Sequence, residues 1–413
     1  VLPQAPGMRP AAMLRTGLWL YDHLARREQV PGSRAVNLRR DPAGGILRGD
    51  LRHGFAYWDC WVDDARLVLV NALAANAKGA RIATRTRVTR ATASGDHWRI
   101  ITEERGRSGE MAARVLVNAA GPWTDRVAAA IAAGESGAPL PQPKIRLVKG
   151  SHIVVPRIRG AEDAYLLQNG DRRVVFLIPF EERFTLIGTT DTPVDGDPAS
   201  AAIDAAEESY LLRAANAFLG TALTKESIVW RYSGVRPLFD DGSADASAVS
   251  RDYRLDLAAT PGTPPLLTVL GGKITTYRCL AHAAFEKLAP HLPGLQPPQP
   301  KDVPLPGGDT GDRGIAGYRL DLLRRYPGLP AEFLGRLARR YGTQADNLLD
   351  GATSPADLGR DLGGGLSERE VTYLKTHEWA TTPGDVLWRR TKAGLSMTPA
   401  ERIAAEEAIG RVL

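Results

Sequence analysis

The stretch RVLVNAAG, Arg114–Gly121, is a continuous apolar run that breaks into Ala-Ala-Gly just before Pro122. A run of this kind reads as a strand of a parallel sheet, buried on both faces. In open α/β sheets, ligands bind at the C-terminal ends of such strands. The pattern recurs in PLLTVLGGKITTYRCLAHAAFEKL, 265–288, where an apolar strand runs into a glycine turn and then a helix. Two such units in one chain point to the α/β class.

Between these two stretches the pattern changes. GSHIVVPR, DRRVVFLIPF and RFTLIGTTD alternate with turn residues and predict an antiparallel sheet, and the helical spacing of Ala205–Leu219 predicts a helix covering it. Upstream, LRTGLWLYDHL within Ala11–Arg26 has apolar residues at helical spacing, and Asp63–Ala77 reads as a second helix with Asp63 as its N-cap. FAYWDCWV, between the two helices, is aromatic and strand-like, and short β runs begin at Gly79. LPGLQPPQPKDVPLPGGD, 292–309, is a linker by composition, and everything beyond it has a helical period.

Composition excludes several function classes. The 413 residues carry 53 Lys+Arg against 47 Asp+Glu, a net charge of +6, without a basic stripe interleaved with aromatics, so nucleic acid is not expected as a partner. An excess this small suits anionic small molecules or an anionic membrane surface. Cys60 and Cys279 are the only cysteines and neither lies in a CxxC, which fits a reducing compartment and predicts neither a disulfide framework nor a metal site. No apolar run approaches the roughly 18 residues of a spanning helix, so the expectation is a cytoplasmic protein that touches a membrane at most peripherally.

Four separated segments pair a glycine turn with a polar or charged residue: KGSH at 149–152, GTTD at 188–191, SGVRPL at 233–238 and GGKITTYR at 271–278. Singly each is weak, since a histidine at a strand start is more often structural and GGK alone is a turn joining strand to helix. Together and in this order they resemble the aerobic, FAD-dependent glycerol-3-phosphate dehydrogenases. FAYWDCWVDDARL at 55–67 and LWRRTKAGL at 387–395 extend the resemblance over essentially the whole chain.

The resemblance implies a flavoprotein of α/β (α+β) class: an FAD-binding Rossmann-like domain, an antiparallel-sheet substrate domain and a C-terminal helical domain. The expected segments are 1–68 (cap and substrate domain), 69–143 (FAD domain), 144–238 (substrate domain), 239–306 (FAD domain and linker) and 307–413 (helical domain). The implied reaction oxidises sn-glycerol 3-phosphate to dihydroxyacetone phosphate, with hydride passing to FAD and electrons to a quinone. The resemblance also allows a homodimer.

Oxidising a secondary alcohol requires removal of the hydroxyl proton as hydride leaves carbon, so a base and a cationic environment both help. His152 fits the first role, with an ordinary pKa near 6.5; it is read either as general base or as hydrogen-bonding the product carbonyl. The other six histidines are read as structural or surface residues in helices or loops. A phosphate dianion calls for arginine, which binds bidentately, and lysine, a point charge. Arg236 is the first choice, with Pro237 fixing its chain and Gly234 permitting close approach; Arg251 and Lys273 follow. The competing reading is a salt bridge to Asp240, Asp241 or Asp252. Thr189 offers a hydroxyl to substrate or flavin, while Thr190 and Asp191 alternatively cap a turn. By resemblance Gly272, Lys273 and Thr275 lie beside the flavin ring, and Gly121 and Trp123 at a second nucleotide-facing turn.

One departure stands out. The family holds its pyrophosphate on a GxGxxG turn, with an acidic residue about 20 positions on, and no GxGxxG occurs in this chain. The sequence therefore reads as an N-terminally truncated member. Its alternatives are a glycerol-3-phosphate oxidase using oxygen, an amine or amino-acid oxidase of the same fold, and a non-catalytic fragment unable to hold FAD.

Overall fold

A computed structural model describes residues 1–5, 8–24, 30–132, 142–171, 173–240, 252–296 and 303–413. The chain folds as two compact units, one formed by Val1–Cys60 with Thr86–Gln296, the other by Trp61–Arg85 with Pro297–Leu413.

The first unit is built on an antiparallel sheet whose strands run in the order Tyr165–Gln168, Val174–Phe180, Phe184–Gly188, Ile145–Pro156, Thr192–Pro193, with Trp230–Phe239 also paired to Ile145–Pro156. The alternation of GSHIVVPR is that of a strand with one face in the core: Ile153 and Val155 are buried with Tyr165, Leu167, Val175, Leu177 and Ile187. Helix Ala205–Asn216 covers this face through Leu211, Leu212, Ala214 and Ala215. It begins in a capping box between Asp204 and Glu207. Pro237 is tolerated mid-strand because Trp230–Phe239 has Ile145–Pro156 as its only partner among the described strands, and a missing N–H on an outer side breaks no ladder.

In the same unit, Leu116–Asn118 runs parallel to Leu266–Gly271, as their sequences indicate, and Tyr253–Ala258 flanks the latter antiparallel. RVLVNAAG falls short of a long buried strand. Only three residues pair, and Val117 is 44% exposed because its outward face is uncovered among the described residues. Thr86–Ser94, His97–Glu104 and Arg107–Ala113 form a further sheet, with Ile131–Ala132 added parallel to the first of them, around the fully buried Trp98. His53 and His97 begin strands, contrary to the helix-or-loop expectation. Of FAYWDCWV, only Phe55 and Ala56 lie in a strand.

Helix Ala11–His23 buries none of its residues, although its apolar spacing is as expected. No helix among the described residues is long and apolar enough to cross a membrane.

The second unit is helical. Its core is formed by Leu322, Leu334, Leu337, Leu348, Leu374 and their neighbours, contributed by helices Gly314–Arg325, Ala331–Tyr341, Ala345–Leu349 and Glu368–His377. Helix Asp64–Ala77, capped by Asp63 Oδ1 accepting from the Arg66 amide, belongs here rather than with the strands that flank it in sequence. Three long-range ion pairs tie its segment in: Asp63 to Lys392, Arg66 to Glu378 and Arg85 to Asp385.

Candidate active site

His152 lies in the middle of Ile145–Pro156 rather than at a strand start. Its register partners are Gly188 on one side and Tyr232 on the other. Residues directly opposite in an antiparallel pair share a face, so the imidazole stacks on Tyr232 with ring centroids 4.9 Å apart and an interplanar angle of 8°. On its other side the ring occupies the space a Cβ at Gly188 would take, 2.1 Å from the built atom. That conflict accounts for the glycine opening GTTD. The Nδ1 of His152 is buried with no hydrogen-bond partner among the described residues. Burial, and secondarily the Arg236 cation, hold its pKa down at about 4.

Two residues along the same face, Gly150 pairs with Gly234, and beyond them Val148 pairs with Arg236. SGVRPL thus lies within a strand, where a glycine turn is expected from its sequence. The glycine that Arg236 needs is Gly150: a Cβ there would stand 2.4 Å from Arg236 Nη2 and 2.6 Å from Thr189 Oγ1. Gly234 has open space above its Cα, so the close approach expected of it does not occur. The result is a notch open over Gly234, with Arg236 Nη2 and Thr189 Oγ1 packed over Gly150, a neutral imidazole at one end and a guanidinium at the other. Arg236 donates to Asp191 Oδ1 at 2.7 Å and to Thr189 Oγ1 at 3.2 Å. Asp191 thus supplies it with a carboxylate, because the turn after Phe184–Gly188 folds back over the strand, while Asp241 of the competing reading lies outside the described residues. Thr189 also donates to the Thr190 carbonyl, and the Thr190 hydroxyl donates to Glu207.

The turn expected to face the cofactor lies close by. Gly271 and Gly272 adopt φ of 67° and 102°, a region that glycine enters without strain. A Cβ on Gly271 would meet Asp252 O at 2.8 Å and Pro237 O at 3.8 Å, which puts this turn against the residue following Arg236. Gly272, Lys273 and Thr275 are exposed, and Lys273 is fixed through its backbone, its N–H donating to Thr276 Oγ1 at 3.4 Å. The second turn is clamped by Asn118, whose amide donates to Thr124 O and accepts from the Ala120 N–H. Gly121 has φ of 56°, and Trp123 donates its indole N–H to Asp197 at 3.4 Å. Both turns sit at the C-terminal ends of adjacent parallel strands, and the Gly121–Trp123 turn lies beside Trp230–Phe239. Exposed backbone at these glycine-lined ends suits the approach of a flat ring edged with electron-rich carbonyl oxygens, so the residues present fit the flavin end of FAD. Arg251 lies outside the described residues.

Tyr232, Gly150 and Glu207 were not singled out by sequence. Tyr232 carried one usable signal, the period-2 spacing that places 232, 234 and 236 on one face.

Residues 9–278 match the family described as FAD dependent oxidoreductase, and residues 299–412 match the C-terminal domain of alpha-glycerophosphate oxidase. A glycerol-3-phosphate dehydrogenase of Pseudomonas aeruginosa is 47% identical over 98% of this chain and 77% of its own length. The aerobic glycerol-3-phosphate dehydrogenase of Escherichia coli is 46% identical, covering 95% and 77%. A D-erythritol 1-phosphate dehydrogenase of Brucella abortus is 44% identical, covering 98% and 80%. Among solved structures, the glycerol-3-phosphate dehydrogenase of Bacillus halodurans complexed with FAD superposes with a TM-score of 0.72 at 25% identity, covering 92% of this chain and 78% of that one. With both parts of its sequence matched and such relatives along nearly its full length, the chain belongs to the FAD-dependent glycerol-3-phosphate dehydrogenase family.

Proposed function

We propose that this chain oxidises sn-glycerol 3-phosphate to dihydroxyacetone phosphate in the notch between His152 and Arg236. The observation that carries this reading is the notch itself: a neutral proton acceptor and a cation on one sheet face, with open space over Gly234 between them, beside two glycine turns suited to a flavin. Arg236 grips the phosphate, its fork oriented by Asp191 and Thr189. His152 takes the proton of the C2 hydroxyl, and the burial that keeps its imidazole neutral also keeps bulk water away from that proton transfer. FAD, when bound, supplies the acceptor for the hydride that leaves C2. Gly272, Lys273, Thr275, Gly121 and Trp123 are the residues proposed to hold it, and Lys273 is proposed to add positive charge for the phosphate.

Substituting Arg236 with alanine tests the phosphate assignment. With a charge-assisted contact removed, worth about 1.5–3 kcal/mol, KM for glycerol 3-phosphate is expected to rise roughly tenfold to hundredfold. An unchanged KM in steady-state dye reduction sinks it. D-erythritol 1-phosphate belongs in the same assay as a second reading, favoured by the open space over Gly234 and by the relative of that name.

We further infer a quinone acceptor and peripheral contact with a membrane. Met13, Trp19 and Leu20 on helix Ala11–His23 are 60%, 57% and 53% exposed, and burying such side chains at a lipid interface is favourable. The protein is expected to float with anionic liposomes, and Trp19→Glu with Leu20→Glu to abolish flotation. Flotation unaffected by these changes removes this helix as the anchor. Peroxide formation in place of quinone reduction marks an oxidase instead.

A further inference from the structure

Building on the phosphate reading of Arg236, we propose that Glu207, acting through Thr190, is a positioning residue that sets the substrate-facing side of the Gly188–Asp191 turn. As the third residue of helix Ala205–Asn216, Glu207 accepts from the Asp204 N–H through Oε2 at 3.1 Å, which completes its capping box. A cap needs nothing more. Yet Oε1 also accepts from three hydroxyls, Thr190 at 2.7 Å, Ser151 at 3.0 Å and Thr192 at 3.2 Å, and Oε2 pairs with Lys149 Nζ at 2.8 Å. The carboxylate is 7% exposed. Burial pushes its pKa up, but the bonds from Lys149, Thr190, Asp204 N–H and Ser151 outweigh it and hold the group below the ordinary glutamate range.

The residues that reach Glu207 alternate with those that form the notch. On strand Ile145–Pro156, Lys149 and Ser151 go to Glu207, whereas Gly150 and His152 face the notch. After the neighbouring strand, Thr190 and Thr192 go to Glu207, whereas Gly188, Thr189 and Asp191 contact His152 or Arg236. One buried carboxylate thereby holds both segments from behind. Thr190 is the closest link. Its hydroxyl donates to Glu207 and accepts from the Ser151 N–H at 3.0 Å, and its two chain neighbours are the residues bonded to Arg236. Freeing Thr190 lets Thr189 and Asp191 drift, and with them the guanidinium; sub-ångström losses of this kind weaken binding without unfolding the site.

The test is Thr190→Val against Thr190→Ser, which remove and restore the hydroxyl at nearly constant shape. Calorimetry with dihydroxyacetone phosphate on the FAD-loaded protein is expected to show Thr190→Val binding about tenfold more weakly, with Thr190→Ser within about twofold of the unsubstituted protein. KM for glycerol 3-phosphate should follow the binding while kcat changes less. Amide hydrogen exchange, which needs no cofactor, should show the Ser151 amide losing protection in Thr190→Val and regaining it in Thr190→Ser. Glu207→Gln is the second variant should Thr190→Val fold poorly, and it is expected to weaken product binding in the same direction. Undiminished affinity in Thr190→Val and Glu207→Gln, or failure of Thr190→Ser to rescue, overturns the role of Glu207. Should the unsubstituted protein bind no product, the phosphate reading of Arg236 fails, and exchange at Ser151 and Gly188–Asp191 alone decides the Thr190 link.

Discussion

Replacing His152 with alanine is expected to lower kcat/KM for glycerol 3-phosphate by roughly two to four orders of magnitude, the usual contribution of a positioned general base. The prediction is specific because of where the imidazole sits. Tyr232 and Gly188 clamp it from both faces, so water entering the vacated space has no side chain to hold it in the same place. The pH dependence separates this role from a purely steric one. Burial and the Arg236 cation keep the free imidazole's pKa at about 4, so its proton-accepting form dominates above about pH 5 and is lost as pH falls through 4. The acid limb of kcat/KM is therefore expected near 4, well below the 6.5 of an exposed histidine. Bound phosphate dianion offsets Arg236, so the limb of kcat should lie above that of kcat/KM. Near-normal turnover in His152→Ala places the base elsewhere, as does an enzyme group at about 6.5 in kcat/KM resolved from the substrate phosphate's own second ionisation at about 6.

The same shift has a consequence for stability. The unfolded chain takes up a proton at His152 below about 6.5, whereas the folded chain takes it up only near 4. The unfolded state binds more protons throughout that window, so stability falls as pH drops from about 6.5 towards 4 and levels off beneath. The loss is on the order of 3 kcal/mol for this group.

Much of the site was legible because its chemistry is local. KGSH, GTTD, SGVRPL and GGKITTYR each carry a glycine beside a polar or charged side chain, and the resemblance is what assigns those side chains their proposed roles. What the sequence did not reveal was register. That His152 faces both Gly188 and Tyr232, or that Gly150 rather than Gly234 makes room for Arg236, depends on which residues of three strands stand opposite one another, and the period-2 pattern within one strand leaves that open. Asp191 escaped as the partner of Arg236 for the same reason. Glu207 was visible only as the end of a D-x-x-E helix start, since a capping glutamate with one engaged oxygen and one with both engaged look alike in sequence. The fold was legible wherever periodicity was long, as in the helices of 307–413 and in Asp64–Ala77 with its Asp63 cap, but not where Asp64–Ala77 packs, since the partners of its segment lie some 300 positions away.

That helix sets up the second large effect. Glu378 is fully buried and receives Arg66 Nη1 at 2.6 Å, with the guanidinium also 5.0 Å above the centre of the Tyr341 ring. Truncating Glu378 to alanine leaves the Arg66 cation, whose side chain is only 10% exposed, without its counter-charge. Removing one member of a buried pair costs about 3–5 kcal/mol, because the remaining charge keeps its desolvation penalty and loses its compensation. In thermal unfolding this corresponds to a fall of about 2–4 °C per kcal/mol for a domain of this size class. Arg66→Met combined with Glu378→Leu is expected to lose less than Glu378→Ala alone, since apolar replacement removes both charges together. A single-variant loss under about 1 kcal/mol, or a paired replacement worse than the single one, shows that the pair is hydrated and that packing, not charge, holds Asp64–Ala77 on the helical unit.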